Sequence, residues 1–420
     1  MSDNTRLQAA LFLQETLEQK TFSVDTKKRF LSTDSTNNAF FNMLTQTAFR
    51  HLVYTKKVIK QFTTKKLPSN TKLAFYLLVL GATEVIYLKT PDYAIINSYV
   101  EIAKTQLNKY VAGFVNAVLR KICQNKQLFT EADKGEFFPQ EFRRLINASY
   151  NKKTCNKIEQ ASTQEPLLDI TTKTTYHIPN AISLPLGTLR LNNNGNITQI
   201  PGFSEGLWWA QDFSASLPVK LLNNIQGLNV LDICAAPGGK TAQLISLGAN
   251  VTALDISSSR LQKLQENLQR LNLKASNIIC ADALEWLTQD TSPLFDIILL
   301  DAPCSATGTL RRHPEIVHTK NINDVQQMAE IQKKLLNLCP KHLKKGGRLI
   351  YCTCSLSKIE GETQIEQFLQ NNPSFTIIKP QLPQELSELQ SSQGWIRILP
   401  SHLANLGGAD GFFIAILTKE

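Results

Sequence analysis

Between Asn4 and about Lys126, apolar residues recur at helical spacing; beyond Leu228, short apolar runs alternate with amphipathic stretches. Leu7, Ala10, Leu11, Leu13 and Leu17, then Phe40, Phe41, Leu44, Ala48 and Leu52, each mark one face of a helix. Residues 73–88 read as a buried helix. Pro91 restarts the chain into 94–107, and 110–122 carries the stripe Val111, Val115, Val118 and Leu119. This predicts an all-α domain over 1–130. Residues 131–205 begin helical and polar and turn rich in Thr, Asn, Pro and Gly, with β-prone pieces at 170–176 and 186–191, as in a small α+β linker module. Asn192-Asn193-Asn194-Gly195 reads as a turn between strands.

Over 206–420 strands are expected at 229–233, 250–254, 277–280, 295–300, 348–352, 375–378 and 412–417, with helices between. That alternation predicts an α/β Rossmann-like domain built on a mostly parallel, doubly wound sheet. The pair Trp208-Trp209 ahead of it is assigned to packing, and Asp212 and Ser214 to capping a helix that starts near Ala215.

Composition narrows the class. With 42% apolar and 19% charged residues, 420 residues suit two or three folded domains. The first residues lack an apolar signal segment, and the apolar run 73–88 carries Glu84 and is too short for a bilayer, so a cytoplasmic protein is expected. The eight cysteines lack the spacing of a disulfide framework, and no C-x-x-C pair or histidine at ligand spacing suggests a metal. Net charge is +10, but residues 1–160 hold 24 Lys and Arg against 13 Asp and Glu, and the rest 21 against 22. The excess sits on the helical domain, which would attract a polyanion.

The candidate chemistry lies where the strands end. Strand 229–233 runs into Cys234-Ala235-Ala236-Pro237-Gly238-Gly239-Lys240-Thr241, where paired glycines admit a ligand to the backbone and the next helix offers its amides. A P-loop requires glycine where Cys234 stands, and the dinucleotide fingerprint is missing. S-adenosylmethionine remains, its methionyl part on this loop. Asp255 then suits the ribose hydroxyls, Asp282 the adenine amino group, and Asp301 follows a further strand. That last strand opens Asp301-Ala302-Pro303-Cys304-Ser305-Ala306-Thr307-Gly308, and the strand at 348–352 opens Thr353-Cys354-Ser355. Either rim thiol can be a nucleophile; Lys240 is a candidate source of the positive field that favours a thiolate.

Two resemblances sharpen this. Leu80-Gly81-Ala82-Thr83-Glu84-Val85-Ile86-Tyr87-Leu88, Pro91 and Gly113-Phe114-Val115-Asn116-Ala117-Val118-Leu119-Arg120 resemble the NusB-like RNA-binding domain fused ahead of bacterial rRNA methyltransferases. Arg120, Lys121 and Lys126 are its candidate phosphate contacts. The glycine loop, the Asp301–Gly308 segment, Arg311-Arg312-His313-Pro314-Glu315, Thr353-Cys354-Ser355 and Asp410-Gly411-Phe412-Phe413 resemble the RNA cytosine-carbon-5 methyltransferases, in the type that acts on 16S rRNA.

That likeness implies a class I methyltransferase fold with S-adenosyl-L-methionine as cofactor, no metal, and a monomer working on 16S rRNA, free or in an assembling small subunit. It assigns Cys354 to attack on carbon 6 of cytosine and Cys304 to proton removal and release, with Asp301 on the base or the cofactor. Carbon 5 is a poor nucleophile until a thiolate adds at carbon 6, so the family's covalent route divides one hard step in two. Arg311 and Arg312 are candidates for RNA phosphates, and His313 for a structural role. The alternatives are a tRNA or 23S rRNA cytosine-5 enzyme and a non-catalytic RNA-binding assembly factor.

Overall fold

The computed structural model describes residues 3–20, 24–63, 71–88, 90–129, 136–192, 196–289 and 293–420. They form two compact units, Met1–Gln164 with Arg312–Asn321, and Glu165–Arg311 with Ile322–Glu420. The division falls inside the segment read as a linker module: its helices join the first unit and its strands the second. The turn expected at Asn192–Gly195 lies largely outside the described residues.

The first unit is helical, as the periodicity predicts. Its main helices are Asp3–Gln19, Ser35–Arg50, Leu52–Phe62, Lys72–Tyr87, Asp92–Gln106 and Lys109–Gln124, followed by Gln140–Asn147 and Lys152–Ser162. Asp34 and Asn108 cap two of them by accepting the amides of Thr36 and Val111. Lys72–Tyr87 is the central helix, buried on every side from Tyr76 to Val85. Its one acid, Glu84, is fully buried and takes both Nε and Nη2 of Arg6 at 2.7 Å and the Tyr99 hydroxyl at 2.7 Å. A carboxylate in this core is therefore paired and hydrogen-bonded, as burial of a charge requires.

The helix Ile316–Thr319 also belongs to this unit, and His318 Nε2 donates to the Phe49 carbonyl at 2.8 Å. Burial, aided by the charge of Lys56, brings the imidazole pKa down to about 4 despite that hydrogen bond. An unfolded histidine titrates near 6.5, so the unfolded chain binds the extra proton first as pH falls. The contribution of His318 to stability should be level above about pH 6.5 and decline toward pH 4. Thermal unfolding at pH 7 and pH 5 checks this, because His318→Gln should lose less on acidification than the wild type.

The second unit contains two sheets. The smaller is antiparallel, of β1 (Leu168–Thr172), β2 (Ile182–Ser183), β3 (Leu189–Leu191) and β4 (Trp208–Ala210), in the order β2-β3-β1-β4. Trp208 and Trp209 are buried, which bears out packing as their use. Arg190 and Asp169 pair across β3 and β1 at 2.6 and 2.7 Å, with both side chains almost fully buried. Arg190 also donates to the carbonyls of Leu406 and Gly408, and Asp169 accepts the Phe213 amide. Removing one partner of such a pair leaves a buried charge alone, which costs about 3–5 kcal/mol. Arg190→Met should lower unfolding free energy by about that amount in urea titrations.

The larger sheet contains β5 (Asn229–Ile233), β6 (Asn250–Asp255), β7 (Asn277–Cys280), β8 (Phe295–Asp301), β9 (Leu343–Thr353), β10 (Phe375–Ile377), β11 (Ile396–Ile398) and β12 (Phe412–Lys419). Its order is β10-β12-β9-β8-β5-β6-β7, with β11 also pairing β12. Strands β5 to β9 run parallel; β12 is antiparallel to β9, β10 and β11. The chain leaves β5 toward β6 and β7 on one side, then returns to lay β8 on the other. Such a switch point opens a crevice at the strands' carboxyl ends. The glycine loop after β5 and the Asp301 segment after β8 flank it. The helix Phe213–Lys220 begins two residues earlier than expected: Asp212 caps it by accepting the Ser214 amide, whereas the Ser214 hydroxyl donates to the Asp410 carbonyl.

Candidate active site

Loops leaving two adjacent parallel strands bring the rim cysteines together. Asp301 on β8 is level with Cys352 on β9, and the Ala302 amide still donates to the Cys352 carbonyl at 2.9 Å. Beyond that point both chains turn. The Gly308 amide donates to the Cys354 carbonyl at 2.8 Å, drawing the end of the first loop back over the second. Cys304 Sγ and Cys354 Sγ then lie 3.4 Å apart, both partly exposed. The hydrogen bond to Cys354, burial, and the charges at Cys354 and Glu360 hold the Cys304 thiol well above its ordinary pKa.

Gly308 makes this closure possible. A Cβ there would stand 1.9 Å from the Gly411 carbonyl oxygen and 2.8 Å from that of Cys354. The Gly411 amide returns a 2.8 Å hydrogen bond to the Gly308 carbonyl, which gives the Asp410-Gly411-Phe412-Phe413 motif a structural reason.

Lys240 Nζ donates to Asp301 Oδ2 at 2.7 Å and lies 5.2 Å from the centre of the Phe412 ring. Burial, the largest single influence, lowers the ammonium pKa; the charge and hydrogen bond of Asp301 with the charges at Cys352 and Asp232 together outweigh it, and the net shift is upward. Lys240 is thus a permanent cation paired with Asp301. Cys352, kept in view as a neighbour of Cys354, is fully buried with its sulfur 3.5 Å from Asp301 Oδ1, and burial pushes its thiol well up. It is a strand residue.

The glycine loop turns sharply. Cys234 has φ 62° and Gly238 φ 102°, both in the left-handed region that glycine adopts readily and a residue with a side chain rarely does. A cavity of about 360 Å³ adjoins the loop, lined among others by Trp209, Gln211, Ala235, Gly239, Lys240 and Asp301. Ala236, Pro237 and Gly238 complete the loop's share of it. Asp255 is buried at the end of β6; it accepts the amides of Ala236 and Ser257 and has Arg260 Nη1 at 3.5 Å. Asp282 accepts the Leu284 amide as the cap of the helix Ala283–Leu287. A cationic cofactor suits this setting: the cavity is of small-molecule size, its loop bears two glycines, and Asp212 and Asp301 line it. Cys234, Asp255 and Asp282, expected to bind the cofactor, are not among its lining residues.

Sequence reasoning missed Asp232 and Glu360. Asp232 is wholly buried on β5, accepts the Thr241 hydroxyl at 2.6 Å, and is pushed up to about 7 by burial, opposed by that hydrogen bond. Glu360 is wholly buried and bonded to the serine after each rim cysteine. The repeated Cys-Ser dipeptide was the available signal. Among the described residues no cluster of His, Cys, Asp and Glu could hold a metal ion, and no helix is long and apolar enough to cross a membrane.

Comparison with known proteins places this geometry. Residues 219–418 match the model of the 16S rRNA methyltransferase RsmB/F family, and residues 3–124 that of the NusB family. Ribosomal RNA small subunit methyltransferase B of Photorhabdus laumondii is 32% identical over 386 residues, covering 86% of each chain. Its counterpart in Pasteurella multocida is also 32% identical, covering 86% of this chain and 84% of that one. NSun6 from Pyrococcus horikoshii, solved with SFG, superposes with a TM-score of 0.58 at 20% identity, covering 68% of this chain and 99% of that one.

Proposed function

The chain belongs to the RsmB/F family of 16S rRNA methyltransferases and is an S-adenosylmethionine-dependent rRNA methyltransferase; from that membership we propose that it methylates carbon 5 of a cytosine in 16S rRNA through a covalent adduct on Cys354. The observation that carries this reading is the 3.4 Å approach of Cys304 and Cys354, on loops from adjacent strands, the first of which starts at Asp301 in the lining of the glycine-loop cavity.

In this reading Cys234–Lys240 and Asp301 hold the methionyl end of the cofactor, Asp255 the ribose and Asp282 the adenine. The cofactor supplies an electrophilic methyl group. The Cys354 thiolate forms a bond to carbon 6 of the cytosine, and the electron pair released toward carbon 5 makes that carbon the methyl acceptor. A base then removes the carbon 5 proton, the pair left behind restores the ring double bond, and the Cys354–carbon 6 bond breaks. Cys304 is that base in its thiolate form: once Cys354 is bonded to carbon 6, the hydrogen bond and charge at Cys354 that favour the Cys304 proton are gone, that proton passes to solvent, and the thiolate takes the carbon 5 proton. Asp301, fixed by Lys240, offers an acceptor to the cytosine amino group or the cofactor ammonium.

A stacked base is out of reach of two thiols at a strand rim, so the target cytosine is flipped or unpaired. The basic first unit is the docking arm for the RNA backbone; its affinity should fall steeply with salt. Reads of 16S, 23S and transfer RNA after bisulfite treatment, from cells with and without this protein, test the substrate. One cytosine lost from protection in 16S rRNA supports the reading; loss only in 23S or transfer RNA overturns the 16S assignment.

A further inference from the structure

Each rim cysteine is followed by a serine, and both serines bind one buried carboxylate. Glu360 Oε2 accepts the hydroxyls of Ser305 and Ser355, each at 2.5 Å. Its Oε1 accepts the Ser305 amide at 2.8 Å and Gln332 Nε2 at 3.1 Å. The same Gln332 amide donates to the Pro303 carbonyl at 2.8 Å, so the residue before Cys304 is held as well as the one after it. On the other loop, the Glu360 carbonyl lies 2.8 Å from the Tyr351 hydroxyl and accepts the Thr353 hydroxyl at 3.2 Å. Thr307 closes the cluster, 3.2 Å from the Ser355 hydroxyl and accepting the Leu356 amide at 3.0 Å.

Glu360, Ser305, Thr307, Ser355 and Thr353 are all buried. Four donors on one carboxylate satisfy it without a cation; three come from the two cysteine loops and the fourth, Gln332, from the helix Ile322–Leu338. Such a joint fixes a distance: neither loop can shift without breaking a charge-assisted hydrogen bond in a site closed to water.

We propose that Glu360 is the positioning residue of the catalytic pair, its carboxylate setting the separation of Cys304 and Cys354 through the serine that follows each. The inference rests on the two-cysteine reading above. Its charge has a second effect, since a carboxylate near Cys304 favours the protonated thiol. Glu360→Gln keeps the size of the side chain but cannot accept four hydrogen bonds, because an NH2 donor replaces one of its oxygens.

The test uses the full chain, S-adenosylmethionine and 16S rRNA. In a Cys304→Ala background, which should trap the adduct, Glu360→Gln should slow adduct formation by about 10- to 100-fold. In Glu360→Gln alone, with Cys304 present, peptide-level alkylation of Cys304 should show its reactivity midpoint moved to lower pH, which mere loosening of the fold does not produce. Adduct formation in the double variant as fast as in Cys304→Ala overturns the inference and leaves the two-cysteine reading standing. No adduct in Cys304→Ala overturns that reading, and the inference with it. If Glu360→Gln fails to fold, Ser355→Ala replaces it: the same slowing supports the inference, and an unchanged rate overturns it.

Discussion

Cys354→Ala is expected to lower methyl transfer by about 10⁴-fold, the scale seen when a covalent nucleophile is removed, while cofactor binding stays intact. The cofactor cavity is lined by the glycine loop, Trp209, Gln211 and Asp301, and Cys354 takes no part in that lining. Equilibrium binding of S-adenosylmethionine and the rate of methyl transfer to 16S rRNA therefore separate cleanly. In the proposed reading the thiol contributes a bond to the reaction, and the half-buried residue also packs against the core. A variant with near-normal turnover would remove the sulfur from the chemistry. Cys304→Ala should differ in kind, because it leaves the nucleophile in place and removes the group that permits its release.

Gly308→Ala should do comparable damage by steric means alone. The new methyl group would meet backbone on two sides, 1.9 Å from the Gly411 carbonyl oxygen and 2.8 Å from that of Cys354. Neither oxygen sits on a flexible side chain that can swing away. Relief requires the Cys354 loop or the Gly411 turn to move, and overpacking of this kind costs about 1–3 kcal/mol or more. The hydrogen bonds Gly308 N to Cys354 O and Gly411 N to Gly308 O would stretch with it. A chain that still folds should bind cofactor with little change and lose methyl transfer by about 100-fold or more, as expected for misplacement by an ångström. Full activity in Gly308→Ala would show that the sulfur separation does not matter.

Much of this architecture can be read along the chain, and the failures have physical causes. Strands β5 and β7 fall where periodicity predicts: β5 is an apolar run buried from Val230 to Ile233, and β7, at the sheet's edge, is a short half-buried run between exposed ends. β9 begins at Leu343, five residues before the expected start at 348, because Lys344-Lys345-Gly346-Gly347 has the composition of a turn. Three-residue strands such as β4 and β11 are too short for any alternation to register. β1 stops at Thr172 rather than 176, where its partners β3 and β4 run out.

The site divides in the same way. Motifs marked Cys304 and Cys354, but their approach depends on β8 lying beside β9, a contact between residues 50 apart in sequence. Lys240, a candidate source of the field that favours a thiolate, is paired in the fold with Asp301. Glu360 and Arg190 escaped notice because isolated charges in a sequence look like solvated surface. Only the fold shows that each is buried among partners from distant segments.

The central claim is a bond between Cys354 and cytosine carbon 6. Incubating Cys304→Ala with S-adenosylmethionine and 16S rRNA, denaturing the complex, and mapping the cross-linked peptide by mass spectrometry tests it directly. The account predicts one nucleotide adduct, on the peptide containing Cys354, and none when Cys354 is also replaced. An adduct on any other cysteine, or one that accumulates in Cys354→Ala instead, would contradict it.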